Sequence, residues 1–162
     1  MIFIGIGANL PSPAGPPRAT AEAALQALAA AGIAVRRRSR WYESAPVPPS
    51  DQPSYVNGVV EVETGLDPAA LLAVLHRIEA AFGRTRTVAN AARPLDLDLL
   101  AYDDRVLDGP DGVIVPHPRL HERAFVLLPL AELAPDWRHP RTGQAISTLI
   151  AALPPGAEAR SI

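Results

Sequence analysis

The stretch Arg93-Pro94-Leu95-Asp96-Leu97-Asp98-Leu99-Leu100-Ala101-Tyr102 sets an arginine and two alternating carboxylates ahead of an apolar run. On a β-strand, residues i and i+2 share a face and lie about 6.5–7 Å apart. Asp96 and Asp98 would therefore project together, with Leu95, Leu97 and Leu99 on the opposite face. Proline at 94 biases Arg93 toward extended backbone, so the arginine would enter beside the strand. Two oxygen ligands on one face suit a hard divalent cation such as Mg²⁺, which keeps several waters and bridges to phosphate oxygens. An edge strand with a solvated acidic face is the competing reading of the same spacing.

Four other groups of residues sit in or beside loops, where functional side chains concentrate. Gly83-Arg84-Thr85-Arg86 follows a helical pattern, and together with Arg93 it could grip a polyphosphate or simply form a solvated arginine surface. His117 stands between Pro116 and Pro118, with Arg119, Arg123 and Phe125 beyond it. Proline on both sides holds such a histidine rigidly, whether for a ligand or for local hydrogen bonds. Ser44-Ala45-Pro46-Val47 and Tyr55-Val56-Asn57 offer an amide that can donate and accept, and a flat aromatic face, for a heterocycle. Asn57 could equally cap a turn. Gly7-Ala8-Asn9-Leu10 closes the first strand and is compatible with turn chemistry alone.

Composition narrows the class. A chain of 162 residues is one domain that can bury a core without staples. With no cysteine, disulfides and thiolate metal sites are excluded. All 15 basic residues are arginine, so a Walker A loop, which needs its lysine, is excluded as well. Arginine's planar fork matches phosphate oxygens, although codon bias explains the same usage. The net charge of −2 argues against general nucleic-acid affinity. Met1-Ile2-Phe3-Ile4-Gly5 reads as a strand with no basic segment ahead of it. No apolar run approaches ~18 residues, so the expectation is a soluble cytoplasmic protein with neither membrane nor nucleic-acid partners.

The order of elements follows from periodicity and punctuation. Residues 2–8 read as a buried strand, and 18–31 as an alanine-rich helix stopped by Gly32. A strand is expected over 33–42, with an exposed basic segment at 36–40. Four prolines make 43–54 irregular. A strand over 55–63 follows, its register interrupted at Gly58. Asp67 caps a helix with Pro68 at its first position, running to Phe82. A polar loop at 83–92 leads into the Asp96/Asp98 strand. The sum is β-α-β-β-α-β, a ferredoxin-like α+β core whose antiparallel sheet carries both helices on one face. A C-terminal extension holds an extended piece at 113–115 and helices near 124–133 and 144–153. No repeat or linker divides the chain, so residues 1–162 are expected to form a single domain.

Taken together, Gly7-Ala8-Asn9-Leu10, Asp51-Gln52-Pro53-x-Tyr55-x-Asn57, Arg77-Ile78-Glu79, Gly83-Arg84-x-Arg86, Arg93-x-x-Asp96-Leu97-Asp98-Leu99-Leu100 and Val115-Pro116-His117 occur in this order. The set resembles the 6-hydroxymethyl-7,8-dihydropterin pyrophosphokinase family over residues 2–150. The resemblance implies transfer of pyrophosphate from ATP to the hydroxymethyl group of 6-hydroxymethyl-7,8-dihydropterin, releasing AMP, in folate biosynthesis. It implies that Asp96 and Asp98 hold two Mg²⁺ ions. It implies catalytic, phosphate-facing roles for Arg84, Arg86 and Arg93, and ATP contacts from Glu79, His117 and Arg123. It assigns the pterin to Ser44, Ala45, Pro46, Val47, Tyr55, Asn57 and Phe125. A monomer is expected.

The chain also departs from its relatives. Asn90-Ala91-Ala92 stands where many members carry a tryptophan, so weaker packing over the pterin is expected. Ser44 replaces a threonine, Thr87 a basic residue, and His76 a glutamine found in some relatives. The competing class is a ferredoxin-like module that binds nucleotide or RNA without chemistry. RNA binders of that kind present paired aromatics on central strands, a pattern missing from a chain with 2 tryptophans, 3 tyrosines and 3 phenylalanines.

Overall fold

The computed structural model describes residues 1–44, 54–83, 94–109, 112–154 and 158–162. Its strands are β1 (Ile2–Ala8), β2 (Ala34–Arg38), β3 (Tyr42–Ser44), β4 (Tyr55–Glu63), β5 (Asp96–Tyr102), β6 (Leu107–Asp108), β7 (Ile114–Val115) and β8 (Arg160–Ser161). Its helices are α1 (Pro17–Ala30), α2 (Pro68–Ala81), α3 (Ala124–Leu133) and α4 (Ile146–Ala151), with a 3-10 turn at Leu120–Glu122. One antiparallel sheet runs β5-β1-β4-β3-β8, and β2 pairs with the other half of the β4 edge that β3 occupies. The expected α+β architecture is present.

The helix boundaries follow local chemistry. Asp67 accepts the Ala70 N–H at 2.8 Å and Pro68 opens α2 where no donor is needed. Gly32, at φ +84°, turns the chain out of α1. The α1 and α2 helices lie against Ile2, Ile4, Ile6, Val60, Val62, Leu95, Leu97 and Leu99, which form the larger core. The C-terminal α3 and α4 cover the opposite face, where Phe3, Val59, Leu100, Leu127 and Leu130 form a second core. The extension is thus a third layer. Glu132 of α3 anchors it by accepting from the Tyr42 hydroxyl at 2.6 Å and from Arg40 Nε at 2.8 Å.

Three local expectations are corrected. The strand over 33–42 is broken into β2 and β3. At the break, Ser39 Oγ takes the Val59 N–H at 3.0 Å, and Trp41 folds inward with its Nε1 donating to Glu22 at 2.8 Å. The segment 43–54 is not irregular throughout, because Glu43 and Ser44 complete β3, while residues 45–53 lie outside the described residues. Gly58 does not interrupt the register, which runs without a shift from Ile2–Val62 to Ala8–Val56. It is glycine because the Trp41 ring covers it: a Cβ there would meet ring carbons at 2.6 and 2.7 Å. The pairings β6–β7 and β3–β8 involve strands of only two or three residues, and beyond the extended piece expected at 113–115, which contains β7, no periodicity announces them.

Gly58→Ala is therefore expected to lower stability by about 1–3 kcal/mol through overpacking against Trp41. Urea unfolding monitored by tryptophan fluorescence checks this, and an unchanged midpoint would contradict it.

Candidate active site

The pleat and the register of β1 assemble the site. Gly7 is paired with Asp96 on one side and Asn57 on the other, and Gly5 with Asp98 and Val59. Directly opposed residues of an antiparallel ladder project to the same face. Asp96, Asp98, Asn57 and Tyr55 accordingly share the face that α3 covers only further along the strands. Leu95, Leu97 and Leu99 point the other way and are 0, 2 and 4% exposed, while both aspartates stay partly accessible. Between the carboxylates and Asn57 lies a strip of β1 with no side chains. Glycine at 7 is required there, since a Cβ would stand 2.9 Å from Asn57 Oδ1.

Each side of this strip is braced. Asn57 is buried, and its Nδ2 donates to Ser44 Oγ at 2.7 Å, which fixes the orientation of the amide. Tyr55 lies beside Gly7, with its Cδ1 at 4.0 Å from the Cβ position. On the other side, β5 is the sheet edge, and its Leu97 N–H donates to Glu79 Oε2 of α2 at 2.8 Å. Glu79, expected among the nucleotide contacts, is 1% exposed and holds the backbone between the two aspartates. Arg123 reaches Asp98 at 3.9 Å and stacks over the Phe125 ring at 5.3 Å.

His117 lies on the outer side of the β5 edge, where its N–H donates to the Leu100 carbonyl at 2.9 Å. Its Nδ1 accepts the Arg119 N–H at 3.2 Å, so the neutral ring carries its proton on Nε2. Burial, then the nearby Arg123, holds the imidazole pKa down to about 4 despite the opposing pull of Asp96. His117 and Asp98 line a cavity of about 310 Å³ with Leu97, Leu99, Leu72 and His76. His76, noted in the sequence only as a departure from relatives, and the hairpin residues Val113 and Ile114 line this cavity without having been expected among the site residues. A polar residue three positions before Glu79 on a largely apolar helix was the available signal for His76. The hairpin residues carried none.

Among the described residues no third His, Asp or Glu joins Asp96 and Asp98 in a closed metal-binding cluster. Two carboxylates with open surroundings fit Mg²⁺, which takes one or two protein ligands and fills the rest of its shell with water and phosphate oxygens. Arg84, Arg86, Arg93, Ala45, Pro46 and Val47, and the Asn90-Ala91-Ala92 segment, lie outside the described residues.

A sequence model of the 7,8-dihydro-6-hydroxymethylpterin-pyrophosphokinase (HPPK) family matches residues 3–135, a span that includes both strands of the carboxylate and Asn57 pair. The chain belongs to this family. HPPK members transfer pyrophosphate in folate biosynthesis, and this chain is accordingly a pyrophosphokinase. The 2-amino-4-hydroxy-6-hydroxymethyldihydropteridine pyrophosphokinase of Synechocystis sp. is 45% identical over 148 residues, covering 91% of this chain and 73% of that protein. The enzyme of the same name from Pseudomonas aeruginosa is 41% identical over 157 residues, covering 94% of this chain and 91% of that protein. A crystal structure of Plasmodium falciparum HPPK-DHPS superposes with a TM-score of 0.69 over 93% of this chain and 43% of the other. At 15% identity that likeness is one of fold.

The state of His117 sets a pH dependence. A histidine with a folded value below the unfolded 6.5 takes up its proton more readily when unfolded. The stability linked to neutral His117 is complete above about 6.5 and is lost as pH falls from there toward about 4. Urea midpoints measured across that window should decline with falling pH, and His117→Gln should flatten the decline. An unaltered slope in the variant would contradict this.

Proposed function

We propose that this pyrophosphokinase moves the β,γ-pyrophosphoryl group of ATP to the hydroxymethyl oxygen of 6-hydroxymethyl-7,8-dihydropterin by in-line attack on the β-phosphorus, releasing AMP. The observation that carries this reading is the placement of Asp96 and Asp98 on one face with Asn57, separated only by the bare Gly5/Gly7 strip of β1. A phosphate donor held by the carboxylates and an acceptor held by Asn57 would meet above that strip. The cavity shared by Asp98 and His117 supports nucleotide binding at the outer edge of β5.

The residues divide the work. Asp96 and Asp98 would hold two Mg²⁺ ions, which supply charge neutralisation to the polyphosphate and acidify the attacking hydroxyl. A phosphoryl-transfer transition state needs positioning and electrostatic support more than a covalent side chain. His117, neutral and with Nδ1 occupied, offers Nε2–H to a phosphate oxygen. Arg84, Arg86 and Arg93, by their match to the family motifs, grip the triphosphate, and Arg123 balances charge beside Asp98. Glu79 acts by fixing the Leu97 backbone between the aspartates. Asn57 reads the polar edge of the pterin, Tyr55 and Phe125 flank its ring, and Ser44 with Ala45, Pro46 and Val47 completes the pocket. The protein is proposed to work as a cytoplasmic monomer on these two small molecules, without nucleic-acid or membrane partners; its net charge of −2 supports small-molecule chemistry. Among the described residues no helix is long and apolar enough to cross a membrane.

Asp96→Asn and Asp98→Asn should each keep the fold and slow AMP release by at least about 100-fold, equivalent to roughly 2.7 kcal/mol in the barrier. The assay combines protein, Mg²⁺, ATP and 6-hydroxymethyl-7,8-dihydropterin and follows AMP and the pterin diphosphate. AMP release at the wild-type rate in either variant would overturn the assignment of the carboxylates.

A further inference from the structure

Behind the His117–Pro118 turn lies a second cavity of about 130 Å³, lined by His117, His121, His139, Arg141, Thr142 and Gln144 among others. Nothing in the reaction above uses it. Its walls are the 3-10 turn at Leu120–Glu122 and the turn between α3 and α4. That second turn is heavily bonded: the His139 N–H donates to the Gln144 carbonyl at 2.9 Å, the Gly143 N–H to the His139 carbonyl at 2.7 Å, and the Ile146 N–H to the Trp137 carbonyl at 3.0 Å. The cavity is therefore part of a built surface.

His139 is the informative residue. It is 5% exposed, and its Nδ1 accepts backbone N–H groups from Arg141 at 3.2 Å and Thr142 at 3.4 Å. The neutral ring therefore carries its proton on Nε2, and among the described residues nothing accepts that proton. A buried donor left without an acceptor is destabilising. The ring is wedged edge-on against His121 and Trp137, with centroids 6.3 and 5.8 Å away, so it cannot easily swing out to solvent. Arg141 contacts both Asp108 oxygens through Nη2 alone, at 2.8 and 2.9 Å, leaving Nε and Nη1 for another acceptor. The Thr142 hydroxyl and the Gln144 amide add further donors.

A site rich in donors calls for a ligand rich in acceptors. A metal ion is disfavoured because Nδ1 of both His117 and His139 is already occupied by backbone N–H groups. An apolar guest would leave Nε2–H of His139 unsatisfied. The volume suits a small tetrahedral anion with one or two waters. We propose that this cavity is a binding site for a small oxyanion of the phosphate type, held by His139 Nε2–H and Arg141 with help from Thr142 and Gln144. It is separate from the nucleotide cavity and shares the His117 wall with it.

His139 stays neutral in the complex: its Nε2–H is already a donor for the anion, and a second proton on Nδ1 would meet the two backbone N–H groups that Nδ1 accepts, in line with burial, His121 and Arg141 lowering its pKa. The other charges at the cavity are Asp108, bound to Arg141, and Glu122, which sits 3.7 Å from Arg119 and 3.6 Å from His121. The anion is thus held by a neutral donor, and its binding does not require protonation of His139.

The test uses the full chain without nucleotide, titrated with inorganic phosphate at constant ionic strength, while histidine side-chain NMR signals are followed. The expected result is a saturable shift of the neutral His139 ring signals. His139→Asn keeps an acceptor near the Nδ1 position but loses the outer donor, and should bind roughly tenfold more weakly or worse. His139→Gln, which restores a donor near Nε2, should recover most of the affinity. Should either variant fail to fold, Arg141→Gln, at an exposed position, is expected to weaken binding by a similar factor. A shift linear in phosphate and spread over the surface arginines would mean an adventitious ion only and overturn the proposal. Full displacement by a non-hydrolysable ATP analogue would do the same, by assigning the site to the nucleotide. Because the readout is phosphate binding at His139 and not turnover, its failure is distinct from failure of the pyrophosphokinase mechanism.

Discussion

Hydrogen bonding of β1 to β4 on one side and β5 on the other decides where Asp96, Asp98 and Asn57, the sheet's candidate site residues, point. The side-chain period of a strand is two, so a slip of one residue in either ladder would turn the carboxylates or Asn57 into the hydrophobic core. Register is held against such a slip by Ile2, Ile4 and Ile6, which must face α1 and α2. The same alternation leaves Gly5 and Gly7 facing the other way, where the absence of side chains keeps the floor of the site open. Core packing and site geometry are thus one constraint seen from two faces of a sheet.

The second layer of helices sets the extent of the site. Val59, Phe3 and Leu100 are covered by α3 and α4, while Asn57, Gly7 and Asp96 lie further along the same strands, at the end of the site face. Arg123 at the start of α3 marks the boundary and sets a cation 3.9 Å from Asp98. Glu79 performs the matching task from the other face, since an edge strand would otherwise expose the Leu97 N–H between two carboxylates. A buried carboxylate accepting that N–H fixes the backbone between Asp96 and Asp98.

Much of this was readable without coordinates. β1, β4 and α3 begin and end where periodicity puts them, and α2 follows its Asp67-Pro68 opening. The broken strand at 39–41 was not readable, because its cause is the fit of the Trp41 ring over Gly58, two residues far apart in sequence. The opposed packing of α3 and α4 was equally hidden. An apolar helix announces that it will be buried, but not which face of a sheet will bury it.

The amino-acid sequence by itself determined the side of the strand on which Asp96 and Asp98 project, the motif set that identifies the pyrophosphokinase family, and the α+β order. Those properties depend on neighbours along the chain: pleat, capping and residue type at short spacing. Only the tertiary structure decided that Glu79 serves the β5 backbone, that His76 lines the cavity beside Asp98 and His117, and that His117 and His139 share the wall of a second one. These depend on which backbone donors remain after the ladders have formed. That remainder is a property of the assembled sheet, and no local pattern of residues encodes it.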